Sequence, residues 1–288
     1  MFGKYCTYSV FFASAGQAVW EHRIAFQLQH EVKEMNVPNQ MRKASLYLAT
    51  SLFMLTSASV SHAQTTEKQE STMKEATYIP FAAKSEQDKN LAKFLSEGAK
   101  LVTKTEPNTL YWYALKKTDG RFGIFDFFPN EAGRAEHFAG QVASALNANA
   151  DALVAQGWDK GVVANITNSA VLSYKEPSES SASATQATYI VLNAQAGKEQ
   201  ALENLLTGAA LVIDQTEPKT LLWTSLKLNN NTFGIFDTFT DESGRDAHFA
   251  GKVAAALKAQ ADDLVVGGWE NGVLTNIHNF EVIAEAEH

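Results

Sequence analysis

The chain has a single cysteine, Cys6, among its 288 residues. One thiol can close no internal disulfide and build no thiolate metal cage. Cations are outnumbered, with 24 Lys and Arg against 32 Asp and Glu and a net charge of −8. That balance lacks the basic footprint of a nucleic-acid binder. From Gln64 onward the only histidines are His137, His248, His278 and His288. They are too few and too scattered for a catalytic zinc site held by protein ligands, and no metal is expected. No glycine-rich phosphate loop follows a strand, and no serine sits in a nucleophile elbow.

What is present begins with a targeting pattern. From Met41 the chain reads MRKASLYLATSLFMLTSASVSHAQ. A positive start, a short apolar stretch and small residues at Ser61 and Ala63 are the layout of a secretory signal, with cleavage after Ala63. The stretch is too short to stay as a membrane anchor. Such a signal predicts that translation starts at Met35 or Met41, with 1–34 as an extension outside the true gene start and 35–63 as the signal. Five cations and three anions precede Gln64, so the exported remainder carries −10 and no cysteine. A secreted or periplasmic location follows from that reading. Residues 64–74 form a polar lead-in.

The remainder is written twice. Ala76-Thr77-Tyr78-Ile79 recurs as Ala187-Thr188-Tyr189-Ile190, Trp112 as Trp223, and Gly157-Trp158 as Gly268-Trp269, always 111 positions apart. Each copy is a whole domain in length, 75–174 and 187–288. Between them KEPSESSASATQ, 175–186, reads as an exposed linker. Within a copy, ATYIPFAA is strand-prone and 86–104 has helical spacing ended by Pro107. TLYWYAL and RFGIFDFF form a hairpin pair around Asp119-Gly120. Glu131 to Asn149 is again helical, and 161–174 is a last strand. The order is βαββαβ, the ferredoxin-like arrangement. Along the strand from Phe122, Phe122, Ile124, Asp126 and Phe128 face one way, and Gly123, Phe125 and Phe127 the other. A sheet apolar on both faces calls for a second layer, and the other copy can supply it. The expected fold is therefore α+β: two tandem ferredoxin-like units packed sheet to sheet as an intrachain pseudo-dimeric α/β barrel. A water-poor chamber is expected beside each repeated histidine.

The βαββαβ order, the Glu106-Pro107-x-Thr109-Leu110-x-Trp112 lead into the second strand, and a third strand followed by a helix bearing His137 resemble the antibiotic-biosynthesis-monooxygenase superfamily. Glu217-Pro218-x-Thr220-Leu221-x-Trp223 and His248 repeat the pattern. That group of dimeric α/β barrels includes small quinol monooxygenases and haem-degrading enzymes. The chain carries Asp126 and Phe128 where many members have Glu and Trp, and Gly140 where many have a Ser-Pro-His-like stretch. The resemblance implies oxygenation of a quinol or similar electron-rich aromatic, with no cofactor. A non-catalytic domain pair that holds a small hydrophobic ligand or a partner is the rival. Haem with His137 or His248 as axial ligand is a third reading. Further self-association of the double unit stays open.

The candidate site residues come in pairs. A histidine flanked by glycines on one helical stripe (Gly133, His137, Gly140 and, in the second copy, Gly244, His248, Gly251) needs either a ligand close by or close helix packing. Asp126 and Asp237 sit in strands of Phe, Ile and Gly, and a buried carboxylate must be partnered or protonated. Their expected partners are Arg134 or His137, and Arg245 or His248. Such a pair either acts as a general base or staples strand to helix. Trp112, Trp223, Phe122 and Phe233 are candidate substrate walls, or core. Asn165 and Asn276, expected inside strands, could donate to a bound oxyanion or satisfy a bulge.

Overall fold

The computed structural model describes residues 72–178 and 182–288. The extension, the signal and nearly all of the lead-in lie outside the described residues, as does the centre of the linker. In the first repeat the elements are β1 (Glu75–Ala82), α1 (Asp88–Thr105), β2 (Tyr111–Lys116), β3 (Arg121–Phe128), α2 (Glu131–Phe138), α3 (Gln141–Leu153), a short α4 (Gly157–Gly161) and β4 (Thr167–Lys175). The second repeat has β5 (Gln186–Asn193), α5 (Glu199–Thr216), β6 (Thr220–Lys227), β7 (Thr232–Phe239), α6 (Glu242–Phe249), α7 (Lys252–Leu264), a π-helical turn (Gly268–Val273) and β8 (Ile277–Glu287).

Each repeat makes a four-stranded antiparallel sheet, ordered β4-β1-β3-β2 in the first and β8-β5-β7-β6 in the second. The last strands join the sheets. β8 pairs with β2 of the first repeat, and β4 pairs with β6 of the second, so eight strands close into one barrel. Closure removes the unpaired edges that an open sheet leaves to water. The expected packing of two units as one α/β barrel is what the chain does.

Aromatic rings pack the inside of the barrel. Phe125 and Phe236 stack with ring centroids 4.0 Å apart across the interface of the repeats. Tyr78 and Tyr189, equivalent residues, meet at 4.9 Å. Phe127, Tyr113 and Leu226 complete the filling. The tyrosines lie flat because β3 and β7 each offer a glycine beneath the ring. A Cβ on Gly123 would stand 2.9 Å from Tyr78 Cε2, and one on Gly234 3.2 Å from Tyr189 Cε2. Burial pushes the Tyr78 hydroxyl up to about 12.

The opposite faces of the sheets carry the helices. In the second repeat Ile190, Trp223, Phe233 and Ile235 pack against Leu202, Leu206 and Ile213 of α5 and Leu257 of α7. The alternation read from Phe122 holds: Phe125 and Phe127 point into the barrel, and Asp126 points to the helices. This corrects the expected location of the chamber. The histidines lie on the helix-covered faces, and between the sheets there are packed rings.

Two local expectations also change. The helix expected from Glu131 to Asn149 breaks after Phe138, with Gly140 extended at φ −79° and ψ −178°. The last strand starts at Thr167 instead of Gly161, because Asn165 closes a 3₁₀ turn and donates to the carbonyls of Lys160 and Gly161. Asn276 does the same for Gly272. An amide side chain that caps its own preceding turn competes with strand formation there.

Candidate functional site

Three segments converge on each repeated histidine. Asn130 caps α2, accepting from the Gly133 amide at 3.0 Å, and Asp241 caps α6 from Gly244 at 2.8 Å. Caps of this kind are each worth about 1 kcal/mol. They fix the short helices that present His137 and His248 near their C-terminal ends. The Thr-Glu-Pro turn after α1 or α5 brings in Glu106 or Glu217, and β3 or β7 brings in Asp126 or Asp237.

The result is an imidazole held between two carboxylates. His137 Nδ1 is 2.6 Å from Glu106 Oε2, and its Nε2 is 3.2 Å from Asp126 Oδ2. The second repeat has the same distances, 2.6 Å from His248 to Glu217 and 3.2 Å from His248 to Asp237. Thr220 Oγ1 donates to Glu217 Oε2 at 3.1 Å, and Thr109 Oγ1 lies 3.2 Å from His137 Nδ1. Both histidines, both glutamates and both aspartates are buried. The imidazole–aspartate contacts are close but poorly aligned, so neither aspartate oxygen has a well-formed hydrogen bond in either repeat.

Charge follows from that geometry. Burial works against a charged His137, but Asp126 and Glu106 outweigh it and hold its pKa at about 9. His248 is raised for the same reason, against its burial. Burial pushes the Asp126 carboxyl up, opposed by His137, and raises Asp237 to about 7. At neutral pH the His137 imidazole is therefore a cation clasped by carboxyl groups, and the same neighbours push His248 in that direction.

The glycines on the histidine stripe have a packing role. A Cβ on Gly140 would stand 2.6 Å from Glu106 Oε1, and one on Gly251 2.5 Å from Glu217 Oε1. What comes close to these glycines is the glutamate, and the helix break gives it room. Glu106 Oε1 also accepts from the Val142 amide at 3.2 Å, so it caps α3. Glu217 Oε1 is buried without a hydrogen-bond partner.

In the first repeat a pocket of about 210 Å³ opens on this cluster, with Glu106, His137 and Gly140 in its wall. Asn108 and Glu136, joined by a 2.6 Å hydrogen bond, stand at its rim. Asp126 lies behind His137, out of the pocket. Trp112 and Phe122 are fully buried in the sheet–helix layer, with Trp112 against Gly98 of α1. Trp223 and Phe233 repeat that placement. Arg134 pairs with Glu75 and Glu131 rather than with Asp126, and Arg245 bonds Gln186 and Glu242. Asn165 and Asn276 are engaged with their own turns. Glu106 and Glu217 were absent from the candidate residues. Their signal was present: each stands 31 positions before its histidine in a repeated Thr-Glu-Pro.

Among the described residues no group of three His, Cys, Asp or Glu converges on a metal position. Haem does not fit these histidines either, since both ring nitrogens already face carboxylates and the rings are buried.

No protein-family profile and no curated protein matches the chain. Solved structures do. A candidate monooxygenase from Fusobacterium nucleatum superposes with a TM-score of 0.62 at 14% identity, covering 75% of this chain and 95% of that one. Another from Lactobacillus acidophilus gives 0.61 at 9% identity, covering 75% and 97%. The chain shares the fold of these candidate monooxygenases, an α+β architecture closed into one eight-stranded barrel. A protein of unknown function from Nitrosomonas europaea is 38% identical over 35% of this chain and 91% of its own, with a TM-score of 0.32. No helix among the described residues is long and apolar enough to cross a membrane.

Proposed function

We propose that this tandem barrel is an exported, cofactor-independent monooxygenase acting on a small quinol or similar electron-rich aromatic. The observation that carries the proposal is the pocket whose wall holds the paired Glu106 carboxylate and His137 imidazole, backed by Asp126. A volume of about 210 Å³ suits a single aromatic ring better than a polycyclic one. Glu106 faces the pocket and has lone pairs to spare beside its bond to His137, so it can take a phenolic proton. The His137 cation beside it stabilises the phenolate that forms. Asp126, behind the ring, holds the imidazole in place and balances its charge. The phenolate then gives electrons to dioxygen. The quinol supplies all four: one oxygen atom enters the ring, the other leaves as water, and the product is a hydroxyquinone. The fold of the neighbouring candidate monooxygenases supports this class of reaction.

Oxygen uptake by the full chain on a panel of monocyclic quinols tests the reading. Turnover is expected in air, absent under argon, and lost in E106Q/E217Q assayed below its own unfolding temperature, with folding checked by circular dichroism. No oxygen-dependent turnover on any quinol would refute it. The export signal is tested by sequencing the N-terminus of protein from the extracytoplasmic fraction, with Gln64 expected first.

A further inference from the structure

The pocket of the first repeat holds a second carboxylate that the reaction does not use. Glu106 is buried at its inner end, and Glu136 stands exposed at its rim. Among the described residues the only cation in the wall is His137, which already serves Glu106 and Asp126. Two carboxylates and one imidazolium therefore set the field inside the cavity, and an anion entering it meets net repulsion.

Glu136 is held in place. It precedes His137 in α2, so the helix that presents the imidazole presents this acid too. Asn108 donates its side-chain amide to Glu136 Oε2 at 2.6 Å, which ties α2 to the Thr-Glu-Pro turn across the rim. Gly133 lets the turn come close, since a Cβ there would stand 3.2 Å from the Asn108 carbonyl oxygen. The amide uses one of the about four lone-pair positions of the carboxylate, so Glu136 can accept again. A ring in the pocket then lies between an acceptor at the inner end and an acceptor at the mouth. The second repeat lacks the outer one: Glu136 becomes Ala247, and Asn108 becomes Lys219, whose ammonium is held by Ser243 Oγ at 2.6 Å.

We propose that Glu136 is the specificity-determining residue of this pocket: it accepts the second hydroxyl of a 1,4-quinol whose first hydroxyl donates to Glu106, and it turns aromatic acids away. The inference rests on the reading of the Glu106–His137 pocket as a quinol site and adds the residue that selects among phenols. A 1,2-diol carries its hydroxyls side by side and reaches one acceptor only. A simple phenol lacks the second donor. A ring with a carboxylate in that place sets like charges against each other. Because Glu136 is exposed, water and salt temper its effect, so the discrimination is about tenfold and weakens as salt rises.

Calorimetric titration of the full chain at low salt with hydroquinone, phenol and 4-hydroxybenzoate tests it without reference to turnover. Hydroquinone is expected to bind about tenfold tighter than phenol, and the acid weakest of the three. E136A, which copies Ala247, should bring hydroquinone down to the affinity of phenol and leave phenol where it was. E136Q, of the same size and still able to bond Asn108, should strengthen binding of the acid about tenfold. A hydroquinone-to-phenol ratio unchanged in E136A, an equal loss for all three ligands, an acid that binds the unaltered chain as tightly as hydroquinone, or no binding of hydroquinone at millimolar concentration would each overturn the inference. Selective hydroquinone binding without oxygen uptake would sink the monooxygenase reading and leave this one standing. Oxygen uptake with no preference of hydroquinone over phenol would do the reverse.

Discussion

The first and second repeats agree at the buried histidine clusters and diverge at the hairpins and cluster rims that meet water. The carboxylate–imidazole–carboxylate distances are the same in both copies. The aromatic pair at the pseudo-axis is built from equivalent residues. Against that, the hairpin after β2 carries Lys117, Asp119 and Arg121 in the first repeat, and Leu228, Asn230 and Thr232 in the second. Lys117 reaches across the barrel seam to His278 Nδ1 at 3.3 Å, where the other seam has Thr167. The contrast separates two kinds of constraint. A buried charged cluster tolerates no lost partner, because an uncompensated charge in the interior is expensive. A surface residue is free to change whenever a new ligand or contact rewards it.

Substitutions can sharpen this contrast. The largest effects should come from the shared interior. F125A and F236A each remove a ring from the stack at the barrel centre, and each should cost about 3–5 kcal/mol in unfolding free energy. The double variant should lose less than the sum, because the rings touch. Chemical denaturation measures all three.

Next come the glycines under the glutamates. G140A and G251A force a methyl against a carboxylate, at an expected cost of about 2–3 kcal/mol each by overpacking. G140A should be the worse of the two by about 1 kcal/mol, since only Glu106 caps a helix and only that cap is disturbed. Equal losses would show that the difference between the two glutamates has no energetic weight.

The pH dependence is smaller and has a definite sign. His137 has a folded pKa of about 9 against an ordinary 6.5. Its contribution to stability is therefore complete below pH 6.5 and is lost as pH rises through 9. Asp237, raised to about 7, adds a loss in the same direction between about pH 4 and 7. The gap in melting temperature between the unaltered chain and H137N should be widest below pH 6.5 and narrow toward pH 9 and beyond. A gap that widens with pH would contradict the assignment of a cationic imidazole.

The smallest effect concerns the unlike hairpins. K117L/D119N/R121T copies the second repeat into the first and should change stability by no more than about 0.5 kcal/mol, since exposed pairs such as Arg121–Asp119 contribute little. His278 should nevertheless respond. Burial, Lys117 and Arg121 hold its pKa below the ordinary histidine value, opposed only by Asp119. Removing the two cations should let it rise, as followed by proton NMR of the ring.

Much of this was legible in the chain itself. Period-2 alternation around Asp126 placed that carboxylate on the face opposite Phe125, and the 111-residue repeat announced a doubled unit. What the pattern could not convey was which face met the other repeat. Phe122 and Phe125 are equally apolar, so hydrophobicity alone does not say whether a helix or a second sheet covers them. The break at Gly140 escaped for a related reason. Helical spacing continues across it, and the reason to stop is a carboxylate from a turn 34 positions away in sequence. Asn165 was read by strand preference, but its side chain finds partners four and five residues back. In each case a contact distant in the chain, or a side chain turned on its own backbone, overrode the local signal.

The joining of the two sheets through their last strands has an evolutionary consequence. A barrel assembled from two identical subunits must accept any mutation twice, once in each mouth. Here β4 and β8 complete one another's sheets within a single polypeptide, so a change at Lys219 need not appear at Asn108. Duplication followed by fusion frees the two histidine clusters to specialise at their rims.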